Sequence, residues 1–367
     1  MTSNDTRYMR RALTLARKGI GRTAPNPAVG CVIVREGRVV GEGWHQKAGT
    51  PHAEIHALAQ AGEQANGADL YVTLEPCSHY GKTPPCSEAL IRAGVRRVVA
   101  GMVDPFAEVS GKGLAQLRRA GIEVAVGLLE TECRELNKGF VKYVKCGLPY
   151  VIYKSAMTLD GNIATVTGNS RWVSSEKSRR FVHHLRDVCD AVMVGVDTIL
   201  MDNPQLTVRH VRGRSPLRVI VDTHLRTPES VNVLTGPLAK KTIIATCETN
   251  PRVHRRYELQ GATVMVCDEF DGRVSMEDLL RKLARFGIQT ILLEGGSRLA
   301  GDMLRNHLID ECIFFYAPKV VGNGFAPFNL PGIETMDSAI RMEIKQVGMS
   351  GPDVVVHARP EVPCSPD

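Results

Sequence analysis

The chain has 367 residues, 43% of them hydrophobic and 23% charged, with a formal net charge of +7. This length exceeds one ordinary core, so two globular domains are expected, and the composition excludes a fibrous or disordered chain. Aromatic residues make up only 5%, and the basic residues fall in short clusters such as Arg7–Arg11 and Arg209–Arg214, which argues against a nucleic-acid-binding stripe and fits small phosphorylated ligands.

Near the start, Arg7, Arg10, Arg11, Arg17 and Lys18 interrupt any apolar run. No segment approaches the ~18 apolar residues of a membrane span, so a cytoplasmic protein is expected. The 10 cysteines are irregularly spaced and are expected as reduced thiols, most of them in the core and a few on a metal.

The spacing of Tyr8, Met9, Ala12, Leu15 and Ala16 predicts an amphipathic helix over 6–19, closed by Gly19 and Gly21. After the loop Thr23–Pro27, the runs 29–34 and 39–40 around Glu36-Gly37 predict a hairpin. A helix over 51–62, a strand over 68–74, a helix over 87–93 and a strand over 95–103 follow. A helix over 113–120 and a strand over 122–126 complete an alternating α/β pattern, with the first domain closing between 140 and 148.

A second cycle begins at Pro149. Strands are predicted over 150–155, 191–195, 217–221, 242–245, 263–267 and 290–293, and helices over 174–187, 276–286 and 297–306. The end is strand-rich, and the tail from Pro360 is expected to be loose. The alternation predicts a second, largely parallel sheet.

The strongest chemical signal is Pro51-His52-Ala53-Glu54 followed by Glu75-Pro76-Cys77 and then Cys86. Each piece alone reads as a cap or core residue. Together they supply one imidazole and two thiolates, three ligands that leave a fourth tetrahedral position for water, as a catalytic zinc site requires. Glu54 would then carry the proton from that water to a departing nitrogen. A helix N-terminus at Cys86 favours thiolate. His-x-Glu with Pro-Cys is the zinc-deaminase signature, but eight residues, Ser78–Pro85, separate the cysteines instead of the usual two. His56 is expected to be structural, because no Glu directly follows His52 as a zincin would require.

In the second half, the apolar run Ile291–Leu293 ends in Glu294-Gly295-Gly296 before Ser297. Glycines there let a backbone approach a phosphate at a helix N-terminus, although a Gly-Gly turn serves equally as plain structure. Two rival readings follow from the metal motif: a nucleic-acid deaminase with an accessory binding domain, and a zinc-stabilised binding protein in which the ligands are structural.

The stretches Ala24–Gly30, Pro51–Glu54 and Glu75–Cys86, with its long intercysteine loop, resemble the bifunctional riboflavin-biosynthesis deaminase/reductase family over nearly the whole chain. The resemblance implies a cytidine-deaminase-like α/β/α domain over 1–146 and a dihydrofolate-reductase-like α/β domain over 147–367. It implies zinc on His52, Cys77 and Cys86, Glu54 as proton carrier, and Asn26 at the pyrimidine; His79, in the loop flanking the metal, is a candidate substrate contact, with plain packing as the alternative. Without it, Asn26 reads as a turn residue between prolines.

Tyr153–Gly161, Ser170–Trp172, Gly195–Thr198 and Asp202–Arg209 resemble the family's reductase half. By match, Ala156, Trp172, Thr198, Asp202, Asp222 or Thr223, and the turn at Gly296 contact NADPH. Ser170, Arg186, Leu206, Arg209 and Glu294 contact substrate, the arginines suiting a sugar phosphate. Lys154 and Asp202 are candidates for proton handling, and Arg226 is a candidate for a 2′-phosphate. The implied reactions are loss of the 2-amino group from 2,5-diamino-6-(5-phosphoribosylamino)pyrimidin-4-one, then reduction of the ribosyl group, giving 5-amino-6-(5-phosphoribitylamino)uracil. A homo-oligomer, a dimer first, is expected.

Overall fold

The computed structural model describes residues 2–80, 84–107 and 109–361, in two compact units, Met1–Gly147 and Leu148–Asp367. In the first, α1 (Ser3–Arg17) opens on a capping box between Thr2 and Asp5 and buries Tyr8, Met9, Ala12, Leu13 and Ala16. A hairpin follows, β1 (Gly30–Arg35) and β2 (Arg38–Trp44). Then come α2 (Ala53–Ala61), β3 (Asp69–Val72), α3 (Cys86–Arg92), β4 (Arg97–Ala100), α4 (Lys112–Arg119) and β5 (Glu123–Val126). Two further helices, α5 (Glu130–Leu136) and α6 (Lys138–Cys146), close the unit; the sequence pattern did not announce them.

The five strands lie in the order β2-β1-β3-β4-β5, antiparallel across the hairpin and between β1 and β3, and parallel from β3 to β5. Glycines set the layers. A Cβ at Gly30 would meet the Ala12 carbonyl of α1 at 2.0 Å, and one at Gly43 the Ala53 carbonyl of α2 at 2.2 Å. Gly43 lies opposite Cys31, the neighbour of Gly30, and successive residues face opposite ways. The two helices therefore cover opposite faces, giving an α/β/α sandwich, and α2 sits directly on β2 with its first turn fixed by that contact.

The second unit begins with β6 (Tyr150–Thr158), β7 (Ala164–Thr165), α7 (Glu176–Val188), β8 (Ala191–Gly195), α8 (Val196–Asp202), β9 (Leu217–Val221) and β10 (Thr242–Thr246). It continues with α9 (Pro251–Glu258), β11 (Thr263–Val266), β12 (Glu269–Phe270), β13 (Arg273–Val274), α10 (Met276–Arg285), β14 (Thr290–Leu293) and α11 (Ser297–Arg305). Last are β15 (Glu311–Ala317), β16 (Gly324–Phe325), β17 (Met342–Ser350) and β18 (Asp353–Pro360). The nine-stranded sheet runs β11-β10-β9-β8-β14-β6-β15-β18-β17. The seven strands from β11 to β15 are parallel, and β18 and β17 add antiparallel pairs.

Away from its edge strand β11, the parallel part of such a sheet is covered on both faces. Val182 of α7 packs with Ile152, Ile313, Phe315 and Val355, while Tyr257 of α9 packs with Val192, Ile220 and Ile244. One expectation is corrected here. Pro360 is not loose: it ends β18 in register with Met342, and it is buried. Residues 362–367, the rest of that tail, lie outside the described residues.

Candidate active sites

His52 is the N-cap residue of α2, Cys77 lies in the loop after β3, and Cys86 is the first residue of α3. Their ligand atoms all lie within 4.8 Å of one another. His52 Nδ1 is 3.5 Å from Cys77 Sγ and 3.3 Å from Cys86 Sγ, and the Cys86 N–H donates to Cys77 Sγ at 3.3 Å. A hydrogen bond from the Cys86 thiol, aided by His52, pulls Cys77 down, and the same bond with burial pushes Cys86 up. One ring nitrogen and two sulfurs converging from three segments are the donor set of a zinc site with one position open.

Glu54, in the first turn of α2, is 3% exposed. Burial, and then the negative charge at Cys77, push its carboxyl up to about 7, with His52 opposing. A carboxyl titrating there can both take and return a proton at neutral pH. Glu75, two residues before Cys77, is buried and accepts four backbone N–H groups: Asp104 (3.2 Å) and Gly111 (2.9 Å) on Oε2, Gly113 (2.9 Å) and Leu114 (3.3 Å) on Oε1. It thereby ties the cysteine loop to the N-terminus of α4.

One residue of this pocket was missed in the sequence. His45, just past β2, is 2% exposed and stacks edge-on to His52, ring centroids 5.3 Å apart. Its Nδ1–H donates to the Pro51 carbonyl at 3.2 Å, so Nε2 is the acceptor for Asn26 Nδ2, also at 3.2 Å. Burial lowers its pKa and keeps it neutral. Asn26 is thus brought to the metal cluster through His45. His79 is exposed, Tyr80 donates to Glu88, and Gly81–Thr83 of the long loop lie outside the described residues. His56 Nε2 is buried without a hydrogen-bond partner among the described residues.

In the second unit the expected residues collect where parallel strands end, the edge at which open α/β sheets bind ligands. Glu294 follows β14 and is gripped by Arg186 of α7, Nε to Oε1 at 2.6 Å and Nη2 to Oε2 at 2.9 Å. Arg186 Nη1 also donates to the Thr207 carbonyl at 3.0 Å, which fixes the strap bearing Leu206 and Arg209. His183, one turn earlier on α7, accepts the Arg209 N–H on Nδ1 at 2.9 Å. Burial and then Arg186 lower its pKa to about 4, so it stays neutral. Lys154, on β6, is lowered by burial, with Glu294 opposing.

Around the same edge, Ala156 is half-buried on β6, Thr198 lies in the first turn of α8, and Thr223 follows β9. A Cβ at Gly296 would meet nothing within 4 Å, so the turn into α11 is open to a ligand. Trp172 is 64% exposed under the Arg179 guanidinium, 4.6 Å from the ring centroid, and Ser170 is half-buried. The Asp202 carbonyl accepts from Arg171 at 2.7 Å. Asp222, the alternative to Thr223, is buried, and its carboxylate accepts the Arg226 N–H and the N–H and hydroxyl of Thr227. Arg226 donates to Asp197 Oδ1 at 2.8 Å.

Residues 2–102 match the cytidine and deoxycytidylate deaminase zinc-binding region, and residues 149–356 match the RibD C-terminal domain. The chain belongs to the RibD family. A RibD from Aquifex aeolicus (strain VF5) is 45% identical over 96% of this chain and 97% of its own length, and that of Escherichia coli (strain K12) is 41% identical over 96% and 98%. Among solved structures, Acinetobacter baumannii RibD, form 1, superposes with a TM-score of 0.90 at 38% identity, covering 98% of this chain and 99% of that one. A Thermotoga maritima diaminohydroxyphosphoribosylaminopyrimidine deaminase/5-amino-6-(5-phosphoribosylamino)uracil reductase gives 0.87 at 37%, covering 97% and 99%.

RibD proteins pair a deaminase with a reductase in riboflavin biosynthesis, and this chain carries both domains. A nucleic-acid deaminase with an accessory domain is therefore not the reading that fits. Among the described residues, no helix is long and apolar enough to cross a membrane.

Proposed function

We propose that the first unit deaminates 2,5-diamino-6-(5-phosphoribosylamino)pyrimidin-4-one and that the second reduces the ribosyl group of the product, giving 5-amino-6-(5-phosphoribitylamino)uracil. The observation that carries the first step is Glu54, buried two residues beyond His52 in the cluster with Cys77 and Cys86. Zinc, when bound there, supplies the Lewis acidity that makes a water nucleophilic near neutral pH. Glu54 takes that water's proton on its carboxylate and returns it to the 2-amino nitrogen. One water enters, one ammonia leaves, and C2 gains a carbonyl. Asn26, oriented by His45, holds the pyrimidine in this reading, with His79, on the loop between the two cysteines, as a second contact.

For the second step, NADPH, when bound, would supply the hydride that reduces C1′ of the opened ribosyl group, and this chain's residues would deliver a proton to the attached nitrogen. Lys154, deprotonated more readily through burial, is the proton donor in this reading, with Asp202 as the second candidate. Ala156, Trp172, Thr198, Asp202, Thr223 and the open turn at Gly296 hold the cofactor. Ser170, Arg186, Leu206, Arg209 and Glu294 hold the substrate, Arg209 meeting its phosphate. Arg226 is the candidate for the 2′-phosphate of the cofactor.

The protein works in the cytoplasm, where Cys77 and Cys86 stay reduced enough to bind metal, and it works as a homodimer. Support for the dimer is an apolar stripe on the sheet-edge strand β17: Ile344, Val347 and Met349 are 63%, 59% and 64% exposed. They share one face, opposite Ala358, Val356 and Val354 of β18.

The test follows NADPH oxidation after the diaminopyrimidine is added to zinc-loaded protein, with Glu54→Gln in parallel. Oxidation by wild type and not by the variant is expected. Ammonia release by Glu54→Gln at the wild-type rate would refute the role of Glu54.

A further inference from the structure

The match to the deaminase zinc-binding region ends at residue 102, yet a residue well beyond it is built into the loop that carries Asn26. Asn137 stands between α5 and α6, closing one helix and opening the next, and is 4% exposed. Its Oδ1 accepts the Ala28 N–H at 2.8 Å, and its Nδ2 donates to the Ala28 carbonyl at 3.0 Å. One side-chain amide thus takes both backbone groups of a single residue, as a neighbouring strand would. Ala28 is 5% exposed, so its buried backbone depends on this partner.

Two residues before Ala28, the Asn26 N–H donates to the Thr23 carbonyl at 2.8 Å and its side chain meets His45. His45 is itself tied by its backbone N–H to the Val29 carbonyl at 2.9 Å. The loop is therefore clamped on both sides of Pro27: at Asn26 by His45, whose other ring nitrogen holds Pro51 beside the metal ligand, and at Ala28 by Asn137. The clamp has firm footing. Cys133 of α5 is fully buried in the core, and a Cβ at Gly101, just after β4, would come within 2.3 Å of its Sγ.

The geometry points to Asn137 as a positioning residue of the deaminase, which sets the depth of Asn26 in the pocket and so the affinity for the aminopyrimidine, with no contact of its own to substrate. The helices α5 and α6 are accordingly part of the deaminase site and not a linker. This inference rests on the reading of Asn26 as a pyrimidine contact.

The test compares Asn26→Ala, Asn137→Ala and the double variant in the full-length zinc-loaded protein. Zinc content and NADPH oxidation on separately deaminated intermediate serve as folding controls. Asn137→Ala is expected to raise KM for the diaminopyrimidine about tenfold, the scale of losing a residue that orients a ligand-holding group, while kcat changes little. Because both changes act on one contact, the double variant should be no worse than Asn26→Ala alone. Additive effects, an unchanged KM in Asn137→Ala, or a fall in zinc content in place of a KM change would overturn the inference. If Asn26→Ala itself leaves KM unaltered, the reading of Asn26 fails, and the inference falls with it in a distinguishable way. Asn137→Ser, which keeps one hydroxyl for Ala28, carries the same comparison if the alanine variant does not fold.

Discussion

Arg186 and Glu294 meet through two parallel N–H···O contacts, with the side chains only 11% and 12% exposed. Burial alone would push the Glu294 carboxyl up, but the guanidinium outweighs it and holds the carboxyl below its usual range. The third arm of Arg186 reaches the strap at Thr207, where Leu206 adopts a left-handed φ of 53°. A conformation of that kind costs about 1 kcal/mol in a residue with a Cβ. The ion pair thus fixes a strained strap as well as pairing charge.

Removing one member of such a pair leaves the other buried and uncompensated. Glu294→Gln is expected to destabilise the reductase unit by about 3 kcal/mol and to abolish NADPH oxidation, while ammonia release persists. Denaturant unfolding and the two assays on one preparation check this; a variant as stable as wild type would contradict it.

Glu75 serves the metal loop by a different device. Its two oxygens accept four N–H groups near the start of α4, and Gln in its place offers a single acceptor oxygen. Glu75→Gln should surrender zinc to a chromophoric chelator at least about tenfold faster, as losses around a ligand's support commonly do. Release at the wild-type rate would mean that the loop holds its shape without the carboxylate.

Acid should weaken the first unit through Asp5. Burial raises its pKa, but two hydrogen bonds from Arg97, one from Tyr71 and one from the Thr2 N–H more than reverse this, so the folded value lies well below 3.8. A depressed carboxyl contributes stability that is full above the unfolded value, about 4, and disappears as pH falls through the folded one. Wild type should therefore exceed Asp5→Asn in stability at pH 7, with the gap closing below about pH 4. A gap independent of pH would exclude the carboxylate's charge as the cause.

The stripe on β17 makes a prediction about assembly. Ile344→Lys places a charge amid Val347 and Met349 on the proposed dimer face and should give monomers in sedimentation at concentrations where wild type sediments as a dimer. An unchanged sedimentation coefficient would move the interface elsewhere.

The metal cluster was legible because its chemistry is local: His52 and Glu54 share one helical turn, and Cys77 and Cys86 stand in one loop-to-helix passage. Strands such as β8, β9 and β14 were equally plain, being short apolar runs between turn residues. The helices α5 and α6 were not, since one is largely charged and the other carries Gly139 and the strand-like run Phe140-Val141. The helix α9 did have a usable signal in Asn250-Pro251, an N-cap followed by Pro at the first position. His45 and Asn137 could not be found that way. Their roles come from partners brought close only by folding, such as Ala28, 109 positions from Asn137.

The order of strands in the large sheet also governs when each half of the enzyme can form. β6, the first strand of its unit, is flanked by β14 and β15, so on the ribosome it waits for its neighbours until residues 290–317 have emerged. The deaminase sheet is complete by Val126. Synthesis therefore releases a finished deaminase long before the reductase can close, and pairing over such sequence distances is slow. During that interval the apolar strand β6 has no partner of its own, which makes it the segment of this chain most dependent on protection while it is being made.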